Sequence, residues 1–166
     1  MNEVVVVNIN DEVIGTMPRE LAHKNGTPHR IAVIYLENDS GEILVQVRKG
    51  GRLDHSAAGH LDPGETYVEG AKRELKEELG IDGTDLKEIG SGKSVDLNLL
   101  KNINCIHIFK VFLAKANPKE LQKEEVTEVY WKKPLEVLDE MNKDTEDRFT
   151  GGFKSSLQVY LSYLNK

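Results

Sequence analysis

The sequence holds a single cysteine, Cys105. An intrachain disulfide is therefore impossible, and so is a zinc site built on a CxxC pair. Basic charge is also short, with 22 Lys and Arg against 28 Asp and Glu and a net charge of −6. That balance argues against bulk nucleic-acid binding, which needs a basic surface to displace counterions. No apolar run approaches the ~20 residues of a membrane-spanning helix. The N-terminus lacks the basic segment, long apolar core and small-residue cleavage site of a secretory signal. These absences lead to the expectation of a cytoplasmic protein with no membrane partner. A small phosphorylated substrate stays compatible, because bound cations and a few Arg or Lys reverse the field locally.

What is present is a chain of 166 residues, 39% hydrophobic and 30% charged, which suits one domain over 1–166 with a sizeable core. One stretch, Gly59 to Ile81, organises it. Thr66 with Glu69 three residues later fits a capping-box start, and Gly80 after Leu79 fits a helix stop. At about 100° per residue, Val68, Ala71, Leu75 and Leu79 share the side a core would cover. Glu74, Glu77 and Glu78 converge on a neighbouring side, with Gly70 one turn before Glu74 and Arg73 in i,i+4 reach of Glu77. Like charges at these spacings cost a few tenths of a kcal/mol per pair, roughly. A hard divalent cation would turn that repulsion into coordination; a solvated acidic face is the bland alternative.

The other elements follow from patterning. Val4 to Ile9 with Val13-Ile14-Gly15 reads as a hairpin across Asn10-Asp11, and Pro18 opens a short helix ended by Asn25-Gly26. Ile31 to Leu36 and Glu42 to Lys49 read as a second hairpin, the latter strand with one wetter face carrying Leu44, Gln46 and Arg48. Leu86 to Ser94, Asn104 to Ala114 and Val126 to Trp131 read as strands. Pro134 starts a helix with Leu135, Leu138 and Met141 on one side, and Phe153 to about Leu164 forms the last helix. Strands and helices in this order predict a mixed α+β or layered α/β/α sandwich.

The whole spacing from Gly59 to Ile81 resembles the Nudix box, G-x5-E-x7-R-E-U-x-E-E-x-G-U with U a bulky aliphatic residue. Gly59, Glu65, Arg73, Glu74, Leu75, Glu77, Glu78, Gly80 and Ile81 occupy all its fixed positions. The resemblance implies a Nudix fold, a magnesium or manganese requirement (Mg2+ or Mn2+), and hydrolysis of a diphosphate linked to another group. It implies that Glu74, Glu77 and Glu78 hold metal, that Gly59 gives a carbonyl to the metal or a tight bend, and that Glu65 braces Arg73, which orients a box carboxylate. The proton acceptor is either Glu74 or a later carboxylate, Glu125, with Glu124 as its competitor. Arg48 and Lys49 are candidates for binding a terminal phosphate. Residues 1–28 then form an N-terminal hairpin and helix ahead of a Nudix core at 29–166, and the hairpin is a candidate homodimer contact.

The leading pattern Asp11-Glu12-Val13-Ile14-Gly15, His23 and His29-Arg30 resembles the branch that includes isopentenyl-diphosphate isomerase. His23, His29 and His60 roughly match places where that isomerase carries metal-binding histidines. Ser56-Ala57-Ala58-Gly59-His60, however, has alanine where the isomerase has its catalytic cysteine, and Cys105 matches no such motif. A non-catalytic nucleotide sensor is a further alternative, although such domains typically lose box carboxylates that are intact here. Tyr67, Phe109, Tyr130 and Trp131 are candidates to stack on a base or to fill the core.

Overall fold

The computed structural model describes residues 2–100 and 102–166. Strands β1 (Glu3–Val7) and β2 (Val13–Pro18) form the leading antiparallel hairpin. Helix α1 (Arg19–Asn25) starts directly after Pro18 and stops at Gly26, whose φ of 64° is the left-handed value a helix end favours. Val4 to Val7 are all buried. The hairpin is therefore more than an appendage: β1 pairs with β3 (His29–Leu36) and extends a six-stranded sheet.

Strand β3 has no wet face. Ala32, Ile34 and Leu36 enter one core, while Ile31, Val33 and Tyr35 enter the other. A strand apolar on both sides belongs in the middle of a covered sheet. It pairs in parallel with β8 (Ile103–Ala114) and antiparallel with β6 (Ala57–His60), and β7 (Lys87–Asn98) pairs outside β8.

The expected hairpin between residues 31–36 and 42–49 does not form. Strand β4 (Ile43–Arg48) instead lies between β5 (Leu53–Asp54) and β9 (Val126–Lys132) in a separate three-stranded sheet. Among the described residues, an isolated Glu37–Ile43 bridge and an Asn38–Glu42 backbone hydrogen bond close the turn between the two runs. Nor does β4 have the expected wetter face, since Leu44 and Gln46 are buried along with Ile43 and Val45. Both strands bury both faces, so each needs partners on both sides and local turn chemistry does not choose them.

Helix α2 (Tyr67–Leu79) covers the Ala32–Ile34–Leu36 face through Ala71, Leu75 and Leu79. Helices α3 (Pro134–Lys143) and α4 (Gly151–Leu164) cover the opposite face through Val137, Met141, Phe153, Leu157 and Tyr160. The result is the layered α/β/α sandwich with a mixed sheet. Two helix faces are rotated from expectation. Ala71, Leu75 and Leu79 are buried as expected, but Val68 is 42% exposed, because the buried face of α2 widens toward Tyr67, Gly70, Glu74 and Glu78 rather than toward Val68. Leu135 is 70% exposed, and Val137 takes its place in the core. Among the described residues, no helix is long and apolar enough to cross a membrane.

Candidate active site

The start of α2 is fixed by its own sequence. Thr66 Oγ1 accepts from the Glu69 backbone N–H at 3.2 Å, and the Glu69 carboxylate accepts from Thr66 N–H at 2.8 Å. Gly80 ends the helix at φ 67°, where a Cβ would also lie 2.9 Å from the Glu120 backbone nitrogen. Between these caps Arg73 ties the preceding loop to the helix. Its guanidinium donates to both Glu65 carboxylate oxygens at 2.7 and 3.0 Å, to Glu74 at 2.7 Å, to Glu77 at 3.3 Å and to the His60 carbonyl at 2.9 Å. The hydrogen bonds from Arg73 hold the Glu65 carboxyl below its ordinary range. The brace between Glu65 and Arg73 is thus in place.

Two of the three carboxylates are not on a solvated face. Glu74 is 9% exposed and Glu78 only 3%. Burial pushes the Glu74 carboxyl up to about 7, against the opposing pull of Arg73, and the Glu78 carboxyl up to about 8. Glu78 accepts from the Gln46 side chain at 2.6 Å and the Ala58 backbone N–H at 3.4 Å, so it sits between β4 and β6. Glu77 is the exposed member. Gly59 makes no tight bend; it is a β6 strand residue paired with Ala32. Its lack of a side chain has another use, because a Cβ there would lie 2.0 Å from Glu74 Oε1. Gly70 likewise leaves no void, since Leu61 and Glu65 fill the space beside it.

A cavity of about 610 Å³ opens over this cluster and is lined by Gly59, Arg73, Glu74 and Glu77. Arg48 and Glu125 also line it, whereas Glu124, Lys49 and Glu78 do not. Arg48 donates to Asp54 at 3.0 Å, and Thr150 Oγ1 donates to the other Asp54 oxygen at 2.7 Å. Lys49 is exposed in the turn after β4, with its backbone N–H on the Glu125 carbonyl. The four aromatic candidates stay out of the cavity. Tyr67 donates to Asp11, Phe109 is core, and Tyr130 and Trp131 pack against the two cores.

A family model for the NUDIX domain matches residues 27–150. The chain belongs to the Nudix hydrolase family. It is 31% identical over 171 residues to an uncharacterized Nudix hydrolase of Yersinia pestis, covering 98% of this chain and 87% of that one. It is 34% identical over 151 residues to the Nudix hydrolase YfcD of Escherichia coli K12, covering 87% and 81%. An isopentenyl-diphosphate Delta-isomerase of Pectobacterium atrosepticum is 34% identical over only 87 residues, 49% of each chain. In fold, DR0079 of Deinococcus radiodurans superposes with a TM-score of 0.73 at 22% identity, covering 97% of this chain and 99% of that one. This chain is therefore a hydrolase with a Nudix fold, from a family that uses divalent metals and acts on small phosphorylated substrates.

The same cavity also touches a second group, being lined by His23, His60 and His107. His23 comes from α1, His29 from β3, His60 from β6, and Cys105 and His107 from β8. Their rings lie close together, with centroids 4.7 Å apart for His29 and His107 and 5.1 Å for the stacked His29 and His60. Burial lowers the ordinary values of all four histidines, His29 to about 4, and pushes the Cys105 thiol up to about 12. Sequence reasoning found three of these residues. It missed His107 and set Cys105 aside, although their i,i+2 spacing on one strand puts both on one face. It also missed Gln46, whose polar side chain among apolar β4 neighbours was the available signal.

Proposed function

We propose that this chain is a Mg2+- or Mn2+-dependent pyrophosphohydrolase. It cleaves the diphosphate bond of a nucleoside diphosphate linked to another group, or of a related small phosphorylated metabolite. The observation that carries the reading is the grouping of Glu74 and Glu77 on Arg73, with Glu78 buried one turn on against Gln46, beneath a cavity large enough for such a molecule. The donor set fits a hard divalent ion. Two carboxylates are buried, of which only Glu74 is paired with the Arg73 guanidinium, and Gly59 leaves clear the space Glu74 occupies. Glu74, Glu77 and Glu78 would hold that ion, with the Gly59 carbonyl beside them.

The ion, when bound, supplies charge neutralisation on the phosphate oxygens and lowers the pKa of water. The protein residues do the rest. Arg73, anchored to Glu65 through Nε and Nη2, fixes the Glu74 carboxylate through Nη1 so that little reorganisation accompanies reaction. Glu125, at the cavity wall, takes the proton of the attacking water; Glu74 is the competing acceptor. Arg48 binds the terminal phosphate from its station on Asp54. Lys49, exposed in the turn that follows, adds positive charge outside the cavity lining.

A screen of phosphorylated metabolites for Mg2+- or Mn2+-dependent phosphate or nucleotide release tests the reading. Turnover of at least one diphosphate-containing compound is expected, with none in excess chelator. Isomerisation of isopentenyl diphosphate without hydrolysis would support the isomerase reading instead. Ala57 and Ala58 argue against it, as neither carries a thiol. The exposed edge strand β2 is the surface through which a homodimer would form; light scattering reports the mass.

A further inference from the structure

We propose that His23, His29, His107 and Cys105 form a second metal site, for a borderline-soft transition ion of the zinc class and separate from the carboxylates of α2. The fold assembles it in register. Parallel pairing sets His29 opposite His107, and Cys105 lies two residues earlier on the same face of β8. Helix α1 brings His23 across the end of both strands. One donor atom from each of the four lies within 4.8 Å of all the others. A tetrahedral zinc ion, with bonds of about 2.0–2.1 Å to nitrogen and 2.3 Å to sulfur, requires donors separated by roughly 3.3–3.6 Å. His23 Nε2 lies 3.2 Å from His29 Nε2, and Cys105 Sγ lies 3.0 Å from His107 Nε2.

Proton accounting points the same way. His29 Nδ1 is 2.8 Å from the Thr27 carbonyl, which only accepts. In the neutral ring Nδ1 therefore carries the proton, and Nε2 turns a lone pair toward the cluster. His23 Nε2 lies 3.2 Å from that lone pair and also 3.2 Å from His60 Nε2. One N–H on His23 can point squarely at only one of these neighbours, so at least one of the two contacts is not a well-formed hydrogen bond. A cation at their centre resolves this. The Thr27 carbonyl then plays the outer-shell part usual for a ligating histidine, fixing tautomer and ring orientation. Three imidazoles with one thiolate suit Zn2+ or Co2+, whereas Mg2+ takes oxygen ligands and retains water. On coordination the Cys105 S–H bond breaks, its proton leaves to solvent, and the sulfur lone pair forms the metal–sulfur bond.

The site reaches the box through one residue. His60, beside the four donors, has its carbonyl held by Arg73. The two metal positions therefore share a cavity and remain chemically distinct.

Cobalt titration of chelator-stripped full-length protein tests the assignment. The expected result is one equivalent of Co2+ giving tetrahedral visible absorption and a near-ultraviolet sulfur-to-cobalt charge-transfer band, both displaced by Zn2+ and neither by Mg2+. Cys105→Ser should remove the charge-transfer band. His29→Gln should weaken cobalt binding by about 10-fold or more; His23→Gln, at a half-buried helix position, makes the same test where the buried variant fails to fold. Glu78→Gln should leave both signals intact. The assignment is overturned if saturating cobalt gives no charge-transfer band, if the band survives Cys105→Ser, or if Glu78→Gln removes it while folded His23→Gln or His29→Gln retains it.

Discussion

The acidic cluster and the histidine–cysteine cluster each put some of their members into one cavity but are gathered from very different distances along the chain. Glu74, Glu77 and Glu78 sit within two turns of one helix, and their brace, Glu65, is eight residues from Arg73. The other group needs α1, β3, β6 and β8 to meet, with the parallel β3–β8 pairing setting its register. The first is a hard, oxygen-only donor set; the second is nitrogen and sulfur. A helix fixes the relative positions of its own side chains, so spacing there is already geometry. A site spread over a sheet exists only once the strand order is known.

The largest effect that would sharpen this contrast is expected from Glu78→Gln. Metal-dependent hydrolysis should fall by at least ~10²–10³-fold, judged by kcat on whichever diphosphate the screen identifies. The cobalt–thiolate signature should remain. Because Glu78 is buried with its carboxyl pushed up to about 8, the metal-free variant should melt at a higher temperature than the parent. Thermal denaturation in chelator checks this; lower melting would mean the carboxylate is structural.

Next in size is Gly59→Ala. The added methyl collides with the Glu74 carboxylate, 2.0 Å from Oε1 on present geometry. A displacement near 1 Å is worth about 10²-fold in rate, which steady-state kinetics would show alongside an unchanged far-ultraviolet spectrum. Wild-type turnover would break the idea that Glu74 must stand where it does. Glu65→Gln acts one step further out by loosening Arg73. It should lower hydrolysis about 10-fold and weaken Mn2+ binding, measured calorimetrically, in the same proportion.

The smallest effect concerns the helix alone. Thr66→Ala removes one half of the capping box and should cost about 1 kcal/mol. For a chain of this size that is a fall of about 2–4 °C in melting temperature, with kcat unchanged.

These differences follow what was legible in the sequence. The box and its caps could be read because a 23-residue loop and helix carries all of them, and the Arg73–Glu65 brace came with the family resemblance that the box supports. The burial of Glu74 and Glu78 could not, since it depends on β4 and β6 lying beneath α2 and on Gln46 pointing up to meet Glu78. Val68 was misplaced for the same reason: periodicity defines a stripe, and packing decides its rotation. The β3–β4 hairpin failed because adjacency and a turn cluster say nothing about parallel partners more than 70 residues away, as Val33 and Val111 are. Cys105 and His107 looked like ordinary strand residues until His29 was placed opposite them.

Anomalous diffraction from crystals grown with Mn2+ and a non-hydrolysable diphosphate mimic tests the central claim most directly. The account predicts manganese peaks within bonding distance of the Glu74, Glu77 and Glu78 carboxylates, with the mimic's phosphates in contact with the same ions. Manganese found elsewhere in the cavity, with those carboxylates making the same protein contacts as without metal, would contradict it.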